Sequence, residues 1–287
     1  MKKTITLLAC AVTFITAGAQ NYQSQNVSLL GHWYEPAMQA EPVYGIKYQG
    51  VWGWKNPVDN REYGIIGGND GYYFVEVTNP NVPVLRDKVT GCRTDCIWHE
   101  IKTYDKYVYM VSDDGGSNCF QIADMSYLPD SVHIVHQGTT IFEQCHTIFV
   151  DGHYLYGGSV TKANNTYYSM AVYDLLPNPE SPTLIRTLNQ DFNLPGTVHD
   201  MFVRNDTVFA SGGYDGLYIY KFMGASMPFQ QLATYTQYLE QGYNHSSILT
   251  PDGNTLIFMD EVPSGLGVKS LDVSNYGNIT MNQVFRS

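Results

Sequence analysis

Short apolar runs separated by polar turns cover most of the chain, and from His99 onward they return four times in one order. Each copy opens on a histidine followed by an apolar stretch: His99-Glu-Ile, His146-Thr-Ile-Phe-Val, His199-Asp-Met-Phe-Val and His245-Ser-Ser-Ile-Leu. A polar turn comes next (Tyr104-Asp-Lys, Asp151-Gly-His, Arg204-Asn-Asp, Pro251-Asp-Gly-Asn), then a second apolar stretch at 107–112, 154–159, 207–212 or 255–260. A glycine- or acid-rich loop leads to a third stretch, at Phe120–Asp124, Met170–Asp174, Leu217–Tyr220 or Val268–Asp272, and a weaker fourth closes the copy. Val, Ile, Tyr, Phe and Thr dominate these runs while Gly, Pro, Asn and Asp punctuate them, which predicts strands and tight turns. Helical periodicity is nearly absent; only Tyr235–Gln241 could pass for a helical turn.

The leading histidines stand 47, 53 and 46 residues apart. Four short strands repeated at that interval are the signature of propeller blades. An earlier copy without the histidine starts near Gln49. The sequence therefore predicts an all-β fold, a β-propeller of four-stranded antiparallel blades, with five blades starting near 49, 99, 146, 199 and 245. Residues 26–34 look like a fourth strand without its blade. Because the fifth copy finishes where a sixth would begin, the expected ring is incomplete, with residues 26–34 an orphan outer strand and the fifth blade exposing a face a neighbour would cover.

Residues 1–19 carry a basic start, an apolar run over 4–17 and an Ala-Gly-Ala end, the pattern of a secretory signal peptide cleaved after Ala19. A lipoprotein-like box ending at Cys10 is the lesser alternative. No later stretch has the length of a transmembrane segment. The formal net charge of −11, more negative once Lys2 and Lys3 leave with the leader, argues against a nucleic-acid partner. After Cys10 four cysteines remain: Cys92, Cys96, Cys119 and Cys145. In an oxidising compartment they predict disulfides, and the short Cys92 to Cys96 spacing favours a bridge between those two. A metal site on that pair is the weaker reading.

In an antiparallel blade the start of the first strand lies beside the end of the second. His99, His146, His199 and His245 are thus expected at one end of the axis, with Asp113, Asp114, Asp260 and Glu261 from the loops after the second strands as further candidate ligands. Imidazole with carboxylate suits Zn, Mn or Fe better than Ca. The competing reading makes the repeated histidine a structural pin, its ring bonded to a neighbouring blade. Strand alternation sends Glu100 and Asp200 away from the histidines before them. Trp52, Trp54 and Trp98 are candidates either for stacking a sugar or for core packing. No nucleophile elbow, phosphate loop, dinucleotide fingerprint or H-E-x-x-H pair is present.

Trp98-His-Glu-Ile-Lys-Thr-Tyr, Leu128-Pro-Asp-Ser, Val198-His-Asp-Met-Phe-Val-Arg-Asn-Asp-Thr, Asn244-His-Ser and Phe258-Met-Asp-Glu resemble motifs of the choice-of-anchor B family, related to the LVIVD-repeat propellers. The resemblance covers residues 26–287. It implies an exported, surface-held propeller and attaches no firm reaction to it. Two functions follow as expectations. One is a binding or scaffold module for an extracellular protein, peptide or carbohydrate, carrying a divalent metal or ligand site at one end of the axis. The other is a metal-dependent hydrolase or lyase acting on carbohydrate or peptide at the same face.

Overall fold

The computed structural model describes residues 26–286 except Gly115 and Pro177. The expected signal peptide and Cys10 lie outside the described residues. The chain divides into two compact units, residues 1–30 and 31–287. In the first, residues 26–30 are exposed and carry no strand; every strand belongs to the second.

Among the described residues, twenty strands form five antiparallel four-stranded sheets in chain order. The first blade is β1 (Tyr48–Lys55), β2 (Glu62–Gly68), β3 (Gly71–Glu76) and β4 (Val84–Thr90), and the second β5 (His99–Tyr104), β6 (Tyr107–Ser112), β7 (Phe120–Asp124) and β8 (His133–Gly138). The third holds β9 (Gln144–Asp151), β10 (Tyr154–Thr161), β11 (Tyr167–Asp174) and β12 (Thr183–Thr187). The fourth holds β13 (Asp200–Arg204), β14 (Thr207–Ser211), β15 (Leu217–Lys221) and β16 (Gln230–Tyr235), and the fifth β17 (Asn244–Leu249), β18 (Thr255–Asp260), β19 (Val268–Asp272) and β20 (Thr280–Phe285). The protein is an all-β propeller, and no α-helix occurs among the described residues. Residues 236–241 take no helical turn.

One irregularity recurs in every blade. Opposite the third strand the fourth carries one extra residue: Arg86, Val135, Ile185, Leu232 and Asn282. Such a bulge bends the outer strand and increases its twist. It also breaks the period-two alternation, which is why the fourth strands read weakly in the sequence.

Middle strands are covered by a blade on each side, so β6 is buried at every position rather than alternately. The core consists of seams between neighbouring blades. Trp54, Tyr63, Ile65 and Phe74 meet Ile101, Val108 and Met110; Tyr109, Phe120 and Ile122 meet Ile148, Leu155 and Tyr173. Tyr156, Met170 and Val172 meet Met201, Val208 and Tyr220, and Phe209, Leu217 and Ile219 meet Leu256, Phe258 and Leu271.

First strands pack in succession, β1 on β5, β5 on β9, β9 on β13 and β13 on β17, and the sheets do not close into a ring. The strand expected over 26–34 does not form. Trp33 and Met38 instead lie against Tyr48, Tyr73 and Val75, covering the free face of the first blade. On the fifth blade Ile248, Met259 and Phe285 are exposed.

The expected Cys92–Cys96 bridge is replaced by Cys92–Cys119, with Cα atoms 5.8 Å apart. Cys92 lies just after β4 and Cys119 just before β7, so the bridge ties the end of the first blade to the second. Cys96 turns into the interior as a free thiol beside Asn118, and Cys145 is also free and buried.

Candidate functional site

The four histidines sit near the starts of first strands, yet they divide into two kinds. His99 is 2% exposed. Its Nε2–H donates to the carbonyls of Gly68 and Cys96, both at 3.0 Å, and its Nδ1 accepts from the Tyr72 hydroxyl at 3.0 Å. Burial lowers its pKa and keeps the ring neutral. Gly67 makes room for it, since a Cβ there would meet the His99 Cβ at 2.7 Å. With both ring nitrogens used, His99 is a pin between blades and not a ligand.

His146, His199 and His245 converge. Ring centroids lie 4.2 Å apart between His146 and His199 and 4.6 Å between His199 and His245. His146 Nδ1–H donates to Asp113 Oδ2 at 2.6 Å. His199 Nδ1–H donates to the His245 carbonyl at 3.2 Å. A carbonyl can only accept, so His199 carries its proton on Nδ1 and keeps the Nε2 lone pair for a ligand, the arrangement typical of metal-binding imidazoles. His245 is an inserted residue: Asn244 pairs with Asp260 and Ser246 with Met259, which leaves His245 as a bulge on β17. Bulges beside functional sites re-aim a side chain.

Burial lowers the His199 pKa to about 4, helped by the neighbouring His146 and His245 rings. Burial also opposes charge on His146, but the Asp113 hydrogen bond and charge outweigh it, and the net shift is upward. One ring thus stays a neutral donor while the next is poised to hold a proton.

A ring nitrogen from each of His199 and His245 and a carboxylate oxygen of Glu261 lie within 4.8 Å of one another. A tetrahedral ion would draw such atoms to about 3.4 Å apart at bond lengths near 2 Å, a short contraction for an exposed glutamate. Two imidazoles and one carboxylate suit Zn, Mn or Fe by donor type. Three protein ligands leave a coordination position for water or substrate.

These groups open on a cavity of about 200 Å³ lined also by Gln49, Trp98, Glu100, Thr147 and Asp200. Glu100 accepts from Lys102 Nζ at 2.7 Å, and Lys102 lies over the Trp52 ring at 4.3 Å. Asp200 Oδ1 accepts from Thr147 Oγ1 at 3.0 Å and from the Met201 N–H at 2.7 Å. Burial raises the pKa of both carboxyls. The expectation that Glu100 and Asp200 turn away from the cavity is therefore corrected. Alternation does hold in the regular β5, but there Glu100 faces the cavity while the His99 ring is bonded between Tyr72, Gly68 and Cys96; His199 precedes β13, so alternation does not govern it and Asp200.

Two candidate ligands are corrected as well. Asp114 Oδ2 accepts from the backbone N–H groups of Ile97 and Trp98, pinning the approach to β5. Asp260 is held by Lys269 Nζ at 2.6 Å and the Tyr238 hydroxyl at 2.7 Å inside the fifth blade. Asp113 reaches the cluster through His146 only. Trp54 is core, Trp52 covers Lys102, and Trp98 alone of the three reaches the cavity wall.

No family model and no curated protein sequence matches the chain. Its fold is similar to the periplasmic gluconolactonase PpgL of Pseudomonas aeruginosa, with a TM-score of 0.60 at 11% identity over 83% of this chain and 72% of that one. A putative 6-phosphogluconolactonase of Bacteroides fragilis gives 0.56 at 12% identity, over 80% of this chain and 69% of that one. The computationally designed protein Ika8 gives 0.54 at 11% identity, covering 84% of this chain and 62% of that one, so the chain spans less than two thirds of the designed protein's length. At these identities the likeness shows the propeller fold and nothing finer.

Proposed function

We propose that this chain is an exported propeller of the choice-of-anchor B kind. It holds a divalent transition metal, Zn, Mn or Fe, on His199, His245 and Glu261, and uses that centre to bind an extracellular protein, peptide or carbohydrate. The carrying observation is the convergence of those three donors at the cavity mouth. The Cys92–Cys119 bridge fits an oxidising compartment. Among the described residues no helix is long and apolar enough to cross a membrane. A cavity of about 200 Å³ is below the roughly 300–1,000 Å³ of drug-sized sites, so it takes one sugar ring, one side chain or the end of a longer ligand. The test is elemental analysis of purified protein beside a His199→Ala/His245→Ala variant. One equivalent of metal in the first and none in the second supports the assignment; equal metal in both refutes it.

A second reading, a metal-dependent hydrolase or lyase at the same face, draws on the open coordination position and on the two buried carboxyls, Glu100 and Asp200, that line the cavity. A metal there would lower the pKa of a bound water. The solved lactonases with a similar fold are compatible with it. Turnover of lactone, glycoside or peptide substrates by metal-loaded protein, lost with EDTA and in the double variant, separates this reading from pure binding.

A further inference from the structure

Beneath the ligand-bearing end of the fifth blade lies a polar network with little access to solvent. The Lys269 and Asp260 side chains are both 0% exposed and pair at 2.6 Å. Lys269 Nζ also donates to the Gly267 carbonyl at 3.0 Å. The Tyr238 hydroxyl donates to Asp260 Oδ1 at 2.7 Å and accepts from Asn244 Nδ2 at 3.3 Å. Asn244 is fully buried, and its Oδ1 finds no partner among the described residues.

The position of this network along the chain is what gives it a role. Asn244 immediately precedes His245, and Asp260 immediately precedes Glu261. The two pair across β17 and β18 at the place where the extra residue, His245, is inserted. The backbone around them is tied on both sides. Asn244 exchanges N–H to carbonyl bonds with Gly213 of the fourth blade at 3.0 and 3.1 Å, and Tyr243 receives the Glu261 N–H at 2.9 Å. A bulge can slip along a ladder, and a slip of one residue turns each side chain to the opposite face. Tyr238 links the two strands at the Asn244–Asp260 pair, one of the two that flank the bulge, and the ion pair fixes the Asp260 side of that link.

We propose that Tyr238, Asp260 and Lys269 are positioning residues that hold the β17 bulge in register, so that His245 and Glu261 meet His199 at one ion. The inference rests on the metal reading above. Outer-shell partners of metal ligands are worth 10–100-fold in affinity, and this network touches both ligands through their chain neighbours.

The test is a Co²⁺ titration of the metal-free protein by visible absorption, with thermal unfolding of the same samples. Tyr238→Phe removes one hydroxyl and keeps the ring. It is expected to weaken Co²⁺ binding about tenfold and to change the ligand-field spectrum, while the metal-free form stays fully folded at the titration temperature, its unfolding temperature lower by only the few degrees or so that one lost buried hydrogen-bonding group costs. Asp260→Leu with Lys269→Met replaces the buried pair by apolar side chains of similar size; it is expected to fold and to show the same weakened, altered site. Should that double variant fail to fold, Tyr238→Phe decides alone. A Tyr238→Phe protein that binds Co²⁺ with wild-type affinity and spectrum overturns the positioning role, and so does a loss of affinity that only follows a loss of thermal stability. Wild-type protein that takes up no Co²⁺ defeats the metal reading, and the positioning role falls with it.

Discussion

At the scale of single residues, hydrogen-bond accounting separates a pin from a ligand more clearly than repetition does. His99 has both ring nitrogens engaged inside the protein. Replacing it with Ala takes a donor from the Gly68 and Cys96 carbonyls and opens a void, a loss of roughly 3 kcal/mol that urea unfolding would record, with metal uptake unchanged. His199 behaves oppositely. Its folded pKa is near 4 against about 6.5 for the free side chain, so the unfolded chain binds the extra proton. The stability contributed by this ring is present above about pH 6.5 and is lost as the pH falls toward 4. His146, with its pKa raised, contributes stability that is full below pH 6.5 and lost as the pH rises through its folded value. NMR titration of the metal-free protein should show His146 titrating above and His199 far below the ordinary histidine value. Similar midpoints for the two would contradict the arrangement. The sequence places these residues near one end of the axis but cannot distinguish them, because the partners of His99 come from Gly68 and Tyr72 of the preceding blade and from Cys96 in the connection between the blades.

At the scale of strands, the 46-to-53-residue interval makes the blades readable, since each copy carries its own turns and apolar runs. The departures from regularity are not readable. The extra residue at His245 and the recurring bulge in every fourth strand shift side chains between faces, which weakens the apolar alternation without showing where the extra residue falls. The cysteine spacing misled for a related reason. Cys96, four residues from Cys92, turns inward with its carbonyl on His99, while the partner of Cys92 arrives from 27 residues on. Peptide mapping without reduction should recover Cys92 joined to Cys119, with Cys96 and Cys145 alkylated only after unfolding. Replacing Cys92 and Cys119 by Ser should cost about 3.5 kcal/mol for a loop of that length in the chain-entropy account. Rapid alkylation of native Cys119 would contradict the pairing.

At the scale of the whole molecule, five blades make four seams, and the two outer faces are treated differently. Trp33 and Met38 serve the first blade as a neighbouring blade would, covering Tyr73 and Val75, in the manner of a capping repeat. Trp33→Ala should lower stability by about 3 kcal/mol and increase self-association in sedimentation velocity; an unchanged monomer would show that the segment is not a cap. The fifth blade leaves Ile248, Met259 and Phe285 uncovered, and it carries His245 and Glu261 where β17 begins and β18 finishes. The cavity therefore lies where consecutive first strands meet, and no single blade builds it. The most direct test of this account is the metal content of purified protein and of the His199→Ala/His245→Ala variant by elemental analysis. One equivalent of Zn, Mn or Fe in the wild type, absent from a variant whose sheet circular dichroism is intact, is the predicted result. A metal-free wild type after loading, or a variant that retains its metal, would contradict it.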